Sequence, residues 1–226
     1  MILLIDNYDS FVFNIKQYIE EITNEEILTV RNDKINLEDI KILAPSKIIL
    51  SPGPKHPKDS KICLDILRAD LDTSILGICL GHQAIGYTHF GIIEYLADPV
   101  HGKLSNITII EKDGLFNGLP DNFSVMRYHS LYLSQDNFPE DLEVTAVTDD
   151  NIIMALRHKT KPIYGVQFHP ESYFTDYGKA IIKNFINLLI NYPIYNKKTI
   201  QRIFTHLGFE CIFKVSNQDS IYTNLI

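Results

Sequence analysis

The sequence predicts an α/β protein: a mostly parallel open sheet flanked by helices, with a partly antiparallel extension. Up to about Gly91, short apolar runs alternate with stretches of helical periodicity, the rhythm of βαβ units. From about Gly91 to His169 the chain reads as successive strands with few helices between them, as hairpins require. The 226 residues are enough for one large domain with a sizeable core.

The elements follow in order. ILLI (Ile2 to Ile5) is a strand, and Phe11, Ile15, Tyr18, Ile19 and Ile22 then fall at helical spacing. KIIL (Lys47 to Leu50) is a strand stopped by SPGP, and Lys58 to Ala69 is helical. SILGI (Ser74 to Ile78) is a strand, and a helix follows Cys79. SNITII, FSVMRY, LEVTAVT, NIIMALRH and PIYGVQFH supply the later strands. Asp176 to Ile190 returns to a helix, with Ala180, Ile181, Phe185 and Leu188 on one face. The expected domain covers residues 1–191. Residues 192–226 form an extension in which TIQRIFTHL reads as a helix and ECIFKV as a strand, with no assigned role.

Composition narrows the class. Apolar residues make up 45% and charged residues 22%, as in an ordinary soluble globular protein. The formal charge of −7 argues against nucleic acid as a partner. No segment approaches the ~20 apolar residues of a membrane span. The apolar start is too short for a signal peptide and lacks a basic region. The three cysteines, Cys63, Cys79 and Cys211, are too widely spaced for a disulfide framework or a CxxC metal site. His82, His89 and His101 show no zinc-ligand spacing. The expectation is a cytoplasmic protein without cofactor or metal, in a reducing compartment where a free thiolate survives.

Three motifs carry chemistry. In LGICLGHQ, Cys79 ends a buried strand between Gly77 and Gly81, a nucleophile elbow written with cysteine. The helix N-terminus favours a thiolate, and the Leu80 N–H points where an oxyanion would form. Alone, the pattern fits a buried cysteine between packing glycines equally well. In GVQFHPES, His169 and Glu171 stand two apart on extended chain and face the same way. They can act as a base and the carboxylate that holds it, or lie solvated at a strand end. In SPGP, Gly53 sits between two prolines that lack N–H groups, so its own N–H is a candidate second oxyanion donor. A plain loop reads the same way.

Together, in this order and spacing, the three motifs resemble the class I (triad-type) glutamine amidotransferase domain, from Met1 to about Ile190. The resemblance implies Cys79 as nucleophile, His169 as base and acid, and Glu171 as the group orienting His169. It implies Gly53 and Leu80 as oxyanion donors. Pro52, Gly53, Pro54, Gln83, Ser130 and Leu131 would hold L-glutamine. DNYDSF (Asp6 to Phe11), HGK (His101 to Lys103) and RYHSL (Arg127 to Leu131) resemble the chorismate-using branch. That branch contains the glutaminase subunits of anthranilate synthase and aminodeoxychorismate synthase. A chorismate-binding synthase subunit is then the expected partner, and it, not this chain, would bind Mg²⁺. Two alternatives are a stand-alone cysteine hydrolase on this scaffold and a catalytically silent regulatory subunit. The sequence departs from the family where Lys55 follows SPGP in place of a glycine, and at YTHFG (Tyr87 to Gly91). Within RYHSL, His129 is expected to shape the glutamine pocket or the partner face and not to act as a base.

Overall fold

Ile2–Asp6 forms strand β1, and its side chains divide between two cores: Ile2 and Leu4 enter one, Leu3 and Ile5 the other. Burial on both faces is the mark of an interior strand in a parallel sheet. The structure, a computed structural model, describes residues 1–69, 71–112, 114–188, 212–215 and 221–224.

Three crossovers build the parallel half. Helix α1 (Val12–Ile22) leads to β2 (Ile27–Arg31), and α2 (Leu37–Leu43) leads to β3 (Lys47–Leu50). Helix α3 (Lys61–Arg68) leads to β4 (Ser74–Ile78), and α4 (Leu80–Thr88) follows at once. The chain then runs through β5 (Ile93–Ile109), β6 (Asn122–Leu133), β7 (Leu142–Thr148), β8 (Ile153–His158) and β9 (Ile163–Val166), and into α5 (Gly178–Ile186). Among the described residues these strands form one nine-stranded sheet in the order β2-β1-β3-β4-β9-β8-β7-β5-β6. From β2 to β9 the neighbours are parallel; from β9 to β6 they are antiparallel.

Helices cover both faces. Val12, Ile15 and Ile19 of α1 share a core with Ile181, Ile182 and Phe185 of α5. Ile40 and Leu43 of α2, Ile62 and Ile66 of α3, and Ala84 and Ile85 of α4 share the other. The amphipathic face of each helix is therefore spent against the sheet, which is the main source of its stability. Among the described residues no helix is long and apolar enough to cross a membrane.

The structure adds elements the sequence reading lacks. Strand β2 and helix α2 are short, and α2 is secured by a capping box between Asn36 and Asp39. SNITII is only the end of β5, whose first part is mixed in polarity, mostly exposed, and held by pairing with β6. Pro57–Asp59 forms a 3₁₀ turn, so the helix expected from Lys58 begins at Lys61. Among the described residues the last helix is α5, Gly178–Ile186. The boundary at residue 191 and the helix expected for TIQRIFTHL lie outside the described residues. Part of ECIFKV is strand β10 (Ile212–Val215), paired antiparallel with β11 (Ile221–Asn224).

Candidate active site

Cys79 directly follows β4 and takes φ 51° and ψ −97°. A non-glycine residue in so sparse a region costs about 1–3 kcal/mol, so its surroundings must enforce it. The Cys79 N–H donates to Val166 O at 2.8 Å, tying the elbow to the end of β9. A Cβ on Gly77 would lie 2.4 Å from the carbonyl carbon of Gly81. The strand and helix can therefore cross only without that side chain. Cys79 is 6% exposed and caps the N-terminus of α4, where the first backbone N–H groups lack helical acceptors.

The segment after β9 brings the histidine to this elbow. The His169 N–H donates to Met126 O at 3.1 Å, and Thr175 Oγ1 donates to His169 O at 2.6 Å. The imidazole is packed edge-on against Tyr128 and Phe11. His169 Nδ1 and Glu171 Oε1 are 2.6 Å apart, and both residues are buried. The pair predicted from the two-residue spacing is thus a formed hydrogen bond. Burial opposes a charge on His169, but the Glu171 carboxylate and the neighbouring Cys79 outweigh it. They hold the imidazole well above its ordinary pKa. Nε2 of His169 has no hydrogen bond of normal geometry. The Cys79 sulfur lies close enough to favour the charged ring.

The two predicted oxyanion donors are adjacent. A Cβ on Gly53 would lie 2.9 Å from Leu80 Cδ2, so the SPGP backbone rests directly against the first residue of α4. Pro54 and Leu80 help line a cavity of about 410 Å³, with Asn7 and Lys55 also on its wall. Pro52 is buried and is not on that wall. Gln83, Ser130 and Leu131 are not on that wall.

Gln83 and Leu131 belong to a separate, connected unit. Gln83 Nε2 donates to Leu131 O at 2.8 Å and to Gln167 Oε1 at 3.1 Å. Both of its N–H groups are used, which leaves its amide oxygen to accept from a ligand. Ser130 is exposed and falls opposite the break in β5–β6 pairing between Tyr95 and Val100. His129 Nδ1 donates to Leu131 O at 2.9 Å, and its Nε2 accepts from Arg127 Nε at 2.9 Å. Burial and the Arg127 cation push the His129 pKa down to about 3, so it is a fixed neutral ring and not a base. His82 packs within the elbow helix, fully buried, and burial takes its pKa down to about 4.

Gln167 is the residue the sequence reading missed. Its Nε2 donates to Cys79 Sγ at 3.6 Å, and its oxygen is held by Gln83. The two-residue period that pairs His169 with Glu171 reaches back to Gln167, and that is the signal the sequence carries for it.

Lys55, the departure that follows SPGP in the sequence, has a φ of 74°. A side chain in the left-handed region costs about 1–2 kcal/mol, partly offset by the greater unfolded-state freedom of glycine. Lys55→Gly should therefore stabilise the fold by about 1 kcal/mol, seen as a higher urea midpoint with an unchanged slope. An unchanged or lower midpoint would show that the loop stores no strain at Lys55.

An open α/β sheet with a strained cysteine at a strand-to-helix elbow, beside a buried His–Glu pair, defines a class: enzymes that break acyl bonds at a thiol. The family model described as "Glutamine amidotransferase class-I" matches residues 3–189, and the chain belongs to that family. Anthranilate synthase component 2 of Pyropia yezoensis is 49% identical over 188 residues, covering 82% of this chain and 98% of the relative. The bifunctional protein TrpGD of Thermotoga maritima is 48% identical over 189 residues, covering 83% of this chain and 32% of that protein. A solved glutamine amidotransferase from Thermotoga maritima superposes with a TM-score of 0.67 at 13% identity, covering 89% of this chain and 96% of that one, and it shows the shared fold.

Proposed function

We propose that this chain is the glutamine-hydrolysing subunit of an anthranilate synthase, delivering ammonia to a chorismate-binding partner. The observation that carries the chemistry is the buried His169–Glu171 pair beside Cys79 on its elbow. The name anthranilate synthase component 2, carried by relatives at 49% and 43% identity, supports the synthase and favours the anthranilate arm over the aminodeoxychorismate arm. Free thiols at Cys63 and Cys79 agree with a reducing cytoplasm.

In this reading the Cys79 thiolate attacks the side-chain amide carbon of glutamine. The carbonyl π electrons move to oxygen, and the N–H groups of Gly53 and Leu80 stabilise that oxyanion. His169, held by Glu171, gives its proton to the departing ammonia as the C–N bond breaks. A glutamyl thioester remains. Water, losing its proton to His169, attacks the thioester and releases glutamate and the thiolate. The amide oxygen of Gln83 accepts from the substrate ammonium, and the Ser130–Leu131 backbone helps hold the same α-amino-acid end of the glutamine. Chorismate and Mg²⁺ belong to the partner.

The test is reconstitution with the chorismate-binding subunit of the same organism. Glutamine turnover should rise when the partner and chorismate are added, and anthranilate should form in step with glutamate. Rapid glutamine hydrolysis without a partner, unaffected by adding it and yielding no anthranilate, would identify a stand-alone hydrolase instead.

A further inference from the structure

β1 and β3 are neighbours, yet β2 pairs on the far side of β1, so the chain order reverses between them. In an open α/β sheet a crevice opens beyond the strand ends at such a point. Asn7 is the first residue after β1, and Ser51 is the first after β3. The two are locked together. The Asn7 backbone N–H donates to Ser51 Oγ at 2.9 Å, and Asn7 Nδ2 donates to Ser51 O at 2.9 Å. Asn7 Oδ1 accepts from Asn32 Nδ2 at 3.0 Å and from the Cys63 thiol at 3.3 Å. Asn7 as a whole is 2% exposed. One step further, a Cβ on Gly53 would lie 2.6 Å from Asn7 Cβ and 2.7 Å from Asn7 O. The Gly53 backbone therefore rests on Asn7 directly.

We propose that Asn7 is a positioning residue for glutamine hydrolysis, holding Ser51 so that the Gly53 N–H meets the oxyanion. This rests on the roles given above to Cys79 and Gly53. Asn7 acts through Ser51 and Gly53 and takes no part in bond making. Only an amide serves all its partners here: it donates to Ser51 O and accepts from Asn32 and Cys63 through one side chain. Aspartate keeps the acceptor and loses the donor; alanine loses both.

The role predicts a selective defect. Misplacing an oxyanion donor by about 1 Å is enough to lower turnover about 10²-fold. Alkylation of Cys79 by iodoacetamide needs no such donor. There the sulfur displaces iodide at a tetrahedral carbon, the S–C bond forming as the C–I bond breaks. Asn7→Asp and Asn7→Ala, made in the full chain, are compared with wild type for kcat, KM and the alkylation rate at Cys79 by peptide mapping. Asn7→Asp is included because it keeps the side-chain volume and two of the partners should the alanine variant fail to fold. The expected result is a kcat at least about tenfold lower, with KM and alkylation each within about threefold of wild type. Unchanged turnover in a folded variant overturns the proposal. So does a parallel fall in turnover and alkylation, which would make Asn7 a general support. Wild-type protein that still hydrolyses glutamine after complete alkylation at Cys79 overturns the site reading itself, and this role with it.

Discussion

Replacing Cys79 by alanine should abolish glutamine-dependent anthranilate formation by the assembled pair and spare formation from ammonia. The expected loss with glutamine is at least about 10⁴-fold, because the covalent route has no substitute among the remaining groups. His169 can still move a proton, and Gly53 and Leu80 can still meet an oxyanion, but among the described residues nothing else offers a soft nucleophile at that carbon. The fold should survive. Alanine leaves a smaller side chain in place of a mostly buried thiol, and it tolerates φ 51° no worse than cysteine does. The assay compares product formed from glutamine with product formed from ammonium salt at raised pH. If both activities fall while the pair stays assembled, Cys79 has a structural or coupling role.

Glu171→Gln should lower kcat about 10³–10⁴-fold with little change in KM. The glutamine amide keeps the volume and a hydrogen bond, but not the charge that sustains a buried imidazolium. The same substitution carries a stability signature. Burial pushes the His169 pKa down, and Glu171 and Cys79 together raise it well above the unfolded value near 6.5. A raised folded value stabilises the native state fully below about pH 6.5, and that stabilisation fades as pH rises through the folded value. Removing the carboxylate should therefore cost most stability near about pH 6 and less in alkaline solution. Urea unfolding of both proteins across that window measures the difference. A gap that widens toward high pH would mean that Glu171 does not hold a charged His169.

Much of this architecture is readable from residue order because chemistry and backbone geometry coincide at the motifs. Gly77 and Gly81 announce a close crossing of strand and helix, and the two backbones do meet there. His169 and Glu171 announce a shared face, and they are bonded. Helix α2 is not legible, since seven residues give only about two turns of its period, and strand β2, ILTVR, is as long as β1 but its apolar run is broken by Thr29 and Arg31. The first part of β5 is hidden for a different reason. IEYLADPVHGK mixes apolar and polar residues without a clear alternation and is mostly exposed, so long-range pairing with β6 makes it a strand, and periodicity does not. Gln167 and Asn7 escape a reading of the motifs because amides carry no titratable signal. Their roles rest on partners that are distant in sequence, namely Cys79 and Gln83 for the first and Ser51, Asn32 and Cys63 for the second.

The most direct measurement is a rapid acid quench of the protein during glutamine turnover, followed by mass analysis of the peptide that contains Cys79. If Cys79 is the nucleophile, that peptide carries a glutamyl group that appears within one turnover and is lost when the quenched protein is treated with hydroxylamine. Cys63 and Cys211 remain unmodified. Steady hydrolysis of glutamine with no glutamyl group on Cys79, under conditions that trap a thioester on a reference cysteine enzyme, would contradict the mechanism.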